Sequence, residues 1–195
     1  MRTLVISLTM LTGLGGVGMA GPSASQAEKS QLTELVVQAA KDNNTALIAE
    51  YLNHGGSPDV VSKGGYTPLI MAAYYGHTGL VELLLTHNAD PCIAGPRGNL
   101  AIQGAVFRGR DAVVEQLAAT TCGARAVNRS GQTPLMFAAL FGRQAIAKTL
   151  IEHGASAIRE DRSGNSALSL AAGQGNESML RLLRQRAAAE RQPAE

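Results

Sequence analysis

Apolar positions recur along the chain as pairs of short helical stripes that are separated by a glycine. Thr67 followed by Pro68 predicts a helix start. Threonine caps the first turn, and the missing N–H of proline costs nothing there, because the first N–H groups of a helix have no partner within the helix. Gly76 predicts a left-handed turn that ends this first helix. Apolar residues between Leu80 and Leu84 then show the spacing of one helical face. The pattern predicts two consecutive helices joined by a tight turn.

The same unit returns with a period of 33 residues. Three sets of residues share this register, namely Gly65, Gly98, Gly131 and Gly164; Ala72, Ala105, Ala138 and Ala171; and Leu84, Leu117, Leu150 and Leu183. Counting back one period places Ala39, Leu47 and Tyr51 in register as well, so a fifth copy begins near Ser30. A single helix pair cannot bury its apolar face alone, and neighbouring copies therefore stack.

The motifs of this unit resemble the ankyrin repeat. They are Thr67-Pro68-Leu69, Ala72-Ala73, Gly76-His77, Leu80 to Leu85 and Ala89-Asp90, and again Thr133-Pro134-Leu135, Ala138-Ala139, Gly142 and Gly154-Ala155. The resemblance covers roughly residues 31–186. It implies an all-α solenoid of five stacked helix-turn-helix units with short hairpin loops.

Three copies depart from the pattern. The third copy lacks the threonine–proline start and carries Gly104 inside its first helix, where glycine costs about 1 kcal/mol relative to alanine. We expect this copy to be the least stable. The first copy has Glu34 where threonine belongs, and the last has Arg184 at an otherwise apolar position. Both are typical of terminal repeats with a polar outer face.

The N-terminal segment has the organisation of a secretory signal, with Arg2, an apolar stretch and then small residues. We expect residues 1–20 to be removed after Ala20, with cleavage after Ala27 as the alternative. Residues 21–30 are then a linker, and residues 31–186 form the repeat domain. The predicted repeats are residues 31–62, 63–95, 96–128, 129–161 and 162–186. Residues 187–195 are expected to form a frayed tail.

The resemblance implies a binding surface on the inner face of the first helices and at the loop tips. The matching positions that suit a partner-binding site are Tyr66, Tyr74, Tyr75, Phe107, Arg108, Leu140 and Phe141. Asn99, Gln132 and Asn165 occupy the position of Tyr66 in later copies. Five of the seven aromatic residues fall in the set, and only Tyr51 and Phe137 lie elsewhere. Aromatic residues and arginine are enriched in binding hot spots. The alternative is that individual rings pack between repeats as core.

Two cysteines, Cys92 and Cys122, lie in adjacent predicted layers. In an oxidising compartment they suit a structural disulfide, while free thiols and a redox role remain alternatives. His54, His87 and His153 share one register at the ends of second helices, where a donor complements the last carbonyls. The sequence contains no metal-ligand cluster, and its glycine run at residues 13–18 lies in the predicted signal, so we expect no metal or cofactor.

The chain carries a net charge of +2, and its lysines and arginines are scattered, which gives no nucleic-acid patch. It shows no catalytic motif, so we expect no enzyme. The leading hypothesis is a monomeric, exported scaffold that binds another protein in a Gram-negative periplasm, without membrane insertion after signal cleavage. Its architecture resembles small bacterial ankyrin proteins associated with catalase, which suggests support of an oxidative-stress enzyme. The alternative is a thiol-based redox or stress protein that uses Cys92 and Cys122.

Overall fold

The computed structural model describes residues 22–191, and these residues form ten α-helices in five antiparallel pairs. The first helices of the pairs are α1 (Pro22–Lys41), α3 (Pro68–Tyr75), α5 (Ala101–Arg108), α7 (Pro134–Leu140) and α9 (Ala167–Gly173). The second helices are α2 (Thr45–Asn53), α4 (Thr78–Thr86), α6 (Asp111–Ala118), α8 (Gln144–Glu152) and α10 (Glu177–Arg191). First helices pack on first helices and second on second, and residues 22–191 contain no β-strand. The prediction of an all-α repeat solenoid is confirmed.

The predicted helix starts and stops are present in the structure. Thr67 precedes α3, and its hydroxyl accepts a hydrogen bond from the backbone N–H of Ile70 at 3.2 Å. Thr133 caps α7 in the same way, accepting from Met136 at 3.2 Å. Gly76 ends α3 with a φ of 87°, a left-handed conformation that residues with a Cβ rarely adopt. Local capping chemistry therefore sets the length of these helices.

The core is continuous along the stack and lies between the two layers of helices. The periodic alanines on the first helices are fully buried, and they let adjacent repeats approach closely. The periodic leucines on the second helices, from Leu84 to Leu183, are also fully buried. Burial of each leucine contributes roughly 1.5–3 kcal/mol. Because the buried residues of all five repeats form one cluster and adjacent helices are in contact, the repeats stabilise one another.

The third repeat begins its first helix by a different route. Gln103 in α5 is completely buried, and its Oε1 accepts a hydrogen bond from the N–H of Leu100 at 2.8 Å. Its Nε2 donates to the backbone oxygen of Gln132 in the next repeat at 2.7 Å. One side chain thus caps the helix and joins two repeats, which compensates for the missing threonine–proline start.

A second set of hydrogen bonds joins the first four repeats to one another at the ends of their first helices. The residue after the left-handed glycine donates to a carbonyl one repeat earlier. The pairs are His77 to Lys41 at 2.9 Å, Arg110 to Tyr74 at 3.4 Å and Arg143 to Phe107 at 3.4 Å. A carbonyl can only accept, so the His77 ring nitrogen carries the proton. These bonds satisfy carbonyl groups at the C-terminal ends of helices, and they fix the position of each repeat relative to the preceding one.

The N-terminal helix is longer than predicted. Residues 22–30, expected as a linker, form the start of α1, because proline suits a first helical position and alanine, glutamine, glutamate and lysine favour helix. Glu34 lies inside this helix and accepts a hydrogen bond from the N–H of Lys63. The alternative cleavage site after Ala27 falls within α1. The predicted signal, residues 1–20, lies outside the described residues.

The outer face of the first repeat is less polar than predicted. Leu32 and Leu35 on α1 are 47% and 46% exposed. The position of Leu35 corresponds to Pro68 and Pro134, which are buried in the second and fourth repeats. Among the described residues no repeat precedes α1, so the leucine side chains stay uncovered.

The C-terminal tail is also more ordered than predicted. Helix α10 continues to Arg191, and Ala187 is 3% exposed. Glu190 accepts hydrogen bonds from the Ser156 hydroxyl at 2.5 Å and from the Ala157 N–H at 2.9 Å. Residues 187–191 therefore do not fray, because their alanines favour helix and Glu190 anchors them to the preceding loop. Residues 192–195 lie outside the described part. No helix within residues 22–191 combines the length and apolar character needed to cross a bilayer.

Candidate protein-binding surface

The first helices of three consecutive repeats place their aromatic side chains in one row. Tyr74 and Phe107 occupy equivalent positions, and their rings stack with centroids 6.4 Å apart. Phe107 contacts Phe141 edge to face at 4.9 Å, and Tyr75 contacts Tyr74 at 5.3 Å. We call Tyr75, Tyr74, Phe107 and Phe141 the aromatic row. The stacked repeats thus place these rings next to one another, and the rings form a continuous surface.

The aromatic row borders an open groove of about 460 Å³ on the inner side of α3, α5 and α7. Five of the seven predicted binding residues line it, namely Tyr66, Tyr74, Tyr75, Phe107 and Phe141. The other two lie beside it: the guanidinium carbon of Arg108 is 5.0 Å from the Tyr74 ring centroid, and Leu140 is 37% exposed. The structure therefore brings the predicted residues to one face.

The rings differ in how much they contribute to the core. Tyr66 is half-buried and packs against the hydrophobic core, so the core interpretation holds in part for this residue. Phe107 and Phe141 are 41% and 40% exposed. Exposed aromatic rings that are grouped in this way are typical of an interaction surface.

Several residues that line the groove were not predicted from the sequence, and Phe137, Gly104 and Arg97 are three of them. Phe137 lines it and lies 6.2 Å from Phe141, one helical turn away. Gly104 on α5 leaves a space in the wall, where an added Cβ would lie 3.7 Å from Cδ2 of Tyr74. Arg97 lines the groove from a loop tip. The four-residue spacing of Phe137 and Phe141 would have indicated a shared helical face.

The polar residues equivalent to Tyr66 have different roles. Asn99 lines the groove, and its Oδ1 accepts a hydrogen bond from Asn128 at 2.7 Å. The side chain of Gln132 also accepts from Asn128, at 3.0 Å. Asn165 donates its backbone N–H to Asp161 at 2.9 Å, and this bond holds the pKa of the Asp161 carboxyl below its ordinary value. Gln132 and Asn165 therefore stabilise loops rather than extend the groove.

Positive charge accompanies the aromatic row. The ammonium of Lys41 lies 5.9 Å from the centroid of Tyr75, and Arg108 covers Tyr74. Arg97 is the one charged residue among those that line the groove. Within residues 22–191, none of these three cations pairs with a carboxylate. Each keeps its charge available to a partner.

The two cysteines form a disulfide, and neither of them lines the groove. Cys92 follows α4, Cys122 follows α6, and their Cα atoms are 5.1 Å apart. Such a separation suits a bridge without backbone movement. The bond connects the second and third repeats.

The histidines occupy helix ends, as the sequence indicated. Nδ1 of His87 donates to the Leu83 oxygen at 2.9 Å, and Nδ1 of His153 donates to the Thr149 oxygen at 3.0 Å. His54 follows α2 at the same position. Over the described residues, no three histidine, cysteine or acidic side chains converge in the manner of a metal site.

Comparison with known proteins agrees with this architecture. A family model for ankyrin repeats in three copies matches residues 36–126 and 102–192. No curated protein matches the chain significantly. The two matched ranges together cover most of the sequence, and their boundaries include the second through fifth helix pairs. The chain therefore belongs to the ankyrin-repeat family.

Proposed function

We propose that this protein is a non-catalytic scaffold that holds another protein against the aromatic row and works as a monomer in the periplasm. Ankyrin repeats typically mediate binding to proteins. The single observation that carries the proposal is the pair of exposed, mutually contacting rings Phe107 and Phe141 beside the groove. Rigid aromatic side chains bury a large area and lose little conformational entropy on binding.

The binding proposal is tested with the double variant Tyr75→Ala and Phe141→Ala. Partner capture from periplasmic extract, followed by crosslinking and mass spectrometry, should fall at least about tenfold, because hot-spot side chains contribute 2 kcal/mol or more each. The matched control is Leu32→Ala with Leu35→Ala, which removes similarly exposed apolar side chains at the end of the stack. Unchanged capture by a folded Tyr75–Phe141 variant would contradict the proposal.

Export to the periplasm is supported by the order of charged, apolar and small residues in the predicted signal. A fusion of residues 1–30 to alkaline phosphatase should be active, and replacement of Leu4 and Leu14 by lysine should abolish its activity. The mass of the mature protein identifies the cleavage site, with Ala20 expected as the last residue removed. An inactive wild-type fusion would refute export.

We further propose that the partner belongs to oxidative-stress defence, with a catalase as the example. The support is the resemblance to compact bacterial ankyrin proteins of that kind. Deletion of the gene should lower periplasmic catalase activity and peroxide survival, and restoring the wild-type gene should recover both. Recovery by the Tyr75–Phe141 double variant would show that the aromatic row has no part in this role.

A thiol-based redox function is the second candidate, and the exposed position of Cys92 favours it. Thiol titration before and after mild reductant distinguishes the two functions. A redox protein should release both thiols under mild conditions, and a structural bridge should resist reduction until the chain unfolds.

A further inference from the structure

The space at Gly104 interrupts an otherwise regular row of large side chains. One repeat before and after, the equivalent positions carry Met71 and Phe137, and both line the groove. Gly104 lies between them on α5 and carries no side chain. The wall behind it is formed by Tyr74, whose ring is the nearest neighbour of a Cβ placed at this position. The repeat that departs from the family pattern thus provides the recess of the groove.

The walls of this recess are aromatic and apolar. Tyr74 and Phe107 stack on one another, and Phe137 also lines the groove. Such walls favour a bulky apolar side chain, since aromatic rings gain from stacked and edge-to-face contacts with a partner ring. The opening faces solvent, so a side chain can enter without movement of the helices.

The charged side chains that line the groove or lie over its rings are all cations. Arg97 reaches it from the loop tip, and Arg108 and Lys41 lie at the ends of the first helices. None of the residues that line the groove is an aspartate or a glutamate. An apolar centre between unpaired cations complements a partner that places carboxylates on both sides of an apolar side chain.

The neighbouring loop tips extend the positive charge. Arg129 and Arg162 are exposed, and backbone hydrogen bonds from Arg129 to Gly98 and from Arg162 to Ser130, each 3.2 Å long, hold successive tips side by side. The Arg129 loop carries no carboxylate. In the Arg162 loop, Asp161 accepts hydrogen bonds from the backbone of Ser163 and Asn165, and Glu160 lies beside it in sequence. Arginines therefore stand on three successive loop tips, and Arg97 is the one that lines the groove.

We infer that the groove binds an acidic peptide segment of another protein and takes one bulky apolar side chain of that segment into the recess at Gly104. This inference rests on the proposed scaffold function and names the chemistry of its partner. Affinity comes from the apolar side chain, and the cations at Lys41, Arg97 and Arg108 select for flanking glutamate or aspartate.

The test is a selection of random twelve-residue peptides displayed on phage against the full-length purified protein. Enriched peptides should carry a net negative charge and at least one phenylalanine, tyrosine, tryptophan or leucine. The strongest peptide is then synthesised with a fluorescent label, and its Kd is measured by anisotropy at low and high salt. Because the attraction is between exposed charges, binding should weaken as salt rises.

Two variants with matched controls separate the recess from the charges. Gly104→Met fills the recess with the side chain that the preceding repeat carries, and it should weaken peptide binding at least about tenfold while the protein stays folded. Arg97→Glu with Arg108→Glu should weaken it by a similar factor. The control for charge, Lys148→Glu with Arg181→Glu, alters exposed cations on α8 and α10 and should leave the Kd unchanged.

Each outcome bears on the inference. Acidic peptides that lose affinity with both variants support it. Neutral or basic peptides, no enrichment, or a Kd insensitive to Gly104→Met overturn it. If capture by the Tyr75–Phe141 double variant fails but the selected peptides are not acidic, the scaffold function stands and this inference is wrong.

Discussion

The second and third repeats have the same backbone but begin their first helices differently. In the second repeat, Thr67 accepts a hydrogen bond from an N–H three residues ahead, within one turn of α3. In the third, Gln103 reaches back to the N–H of Leu100 and also binds the next repeat at Gln132. The first arrangement is local, and the second depends on a neighbour.

The two repeats also differ in what they contribute to the surface. Met71 fills its position on α3, while Gly104 leaves the equivalent position on α5 open. Glycine in a helix interior costs about 1 kcal/mol. The third repeat therefore gives up intrinsic helix stability and gains a recess, and Gln103 and the disulfide hold it in place. A departure from a repeat pattern identified the centre of the candidate site.

Of the changes that test this comparison, loss of the disulfide should lower the free energy of unfolding the most. Cys92 and Cys122 are 30 residues apart, and a bridge of that span stabilises the fold by about 3–4 kcal/mol through restriction of the unfolded chain. The variant Cys92→Ala with Cys122→Ala should lower the free energy of unfolding in urea by that amount. Reduced wild-type protein should behave like the variant. A change below about 0.5 kcal/mol would mean that the disulfide does not stabilise the second and third repeats.

Removal of the Gln103 hydrogen bonds should have the second largest effect on stability. Gln103→Met preserves the side-chain length but leaves the N–H of Leu100 and the oxygen of Gln132 without this partner. The expected loss is about 2–3 kcal/mol, because each polar group left unsatisfied on burial costs about 1–3 kcal/mol. The comparison is Thr67→Ala, which should cost about 1 kcal/mol as a lost helix cap. Equal losses for the two variants would remove the distinction between neighbour-dependent and local capping.

Gly104→Ala should stabilise the protein by about 1 kcal/mol, since alanine favours helix and the new Cβ would make only ordinary contacts with Tyr74. Thermal unfolding monitored by circular dichroism measures the change. The control is Gly173→Ala, at a glycine outside the recess. Gly173 is the last residue of α9, and no atom lies within 4 Å of an added Cβ. A destabilised Gly104→Ala protein would show that the recess is part of the folding core.

The smallest effect concerns Asp161, whose loop position corresponds to the uncharged Asn128 one repeat earlier. The N–H of Asn165 lowers the pKa of Asp161 in the folded protein. Its stabilising contribution is therefore present above the ordinary carboxyl pKa of 3.8 and is lost as the pH falls through the lower folded value. Asp161→Asn should be less stable than wild type at neutral pH, and the difference should shrink in acid. A constant difference between pH 7 and pH 3 would contradict this assignment.

The sequence by itself determined the repeat, the caps and the row of rings. Thr67 and Gly76 act within one helical turn, so their effect follows from residue type and spacing. A fixed period also places equivalent side chains on one face, which is why Tyr74 and Phe107 were predicted together. These features depend on local chemistry and on regular stacking.

Tertiary structure decided what depends on distant residues. The recess at Gly104 depends on Tyr74 of the preceding repeat, which forms its wall, and on Phe137 of the next repeat, which lines the same groove. The order of the C-terminal helix depends on Glu190, which meets Ser156 more than thirty residues earlier in the chain. A side chain's partner across repeats is set by packing geometry, and residue type alone does not specify it. The sequence therefore predicted the repeat fold and its rings, and only the stacking of repeats gave an unfavourable glycine its place as a recess in the candidate binding groove.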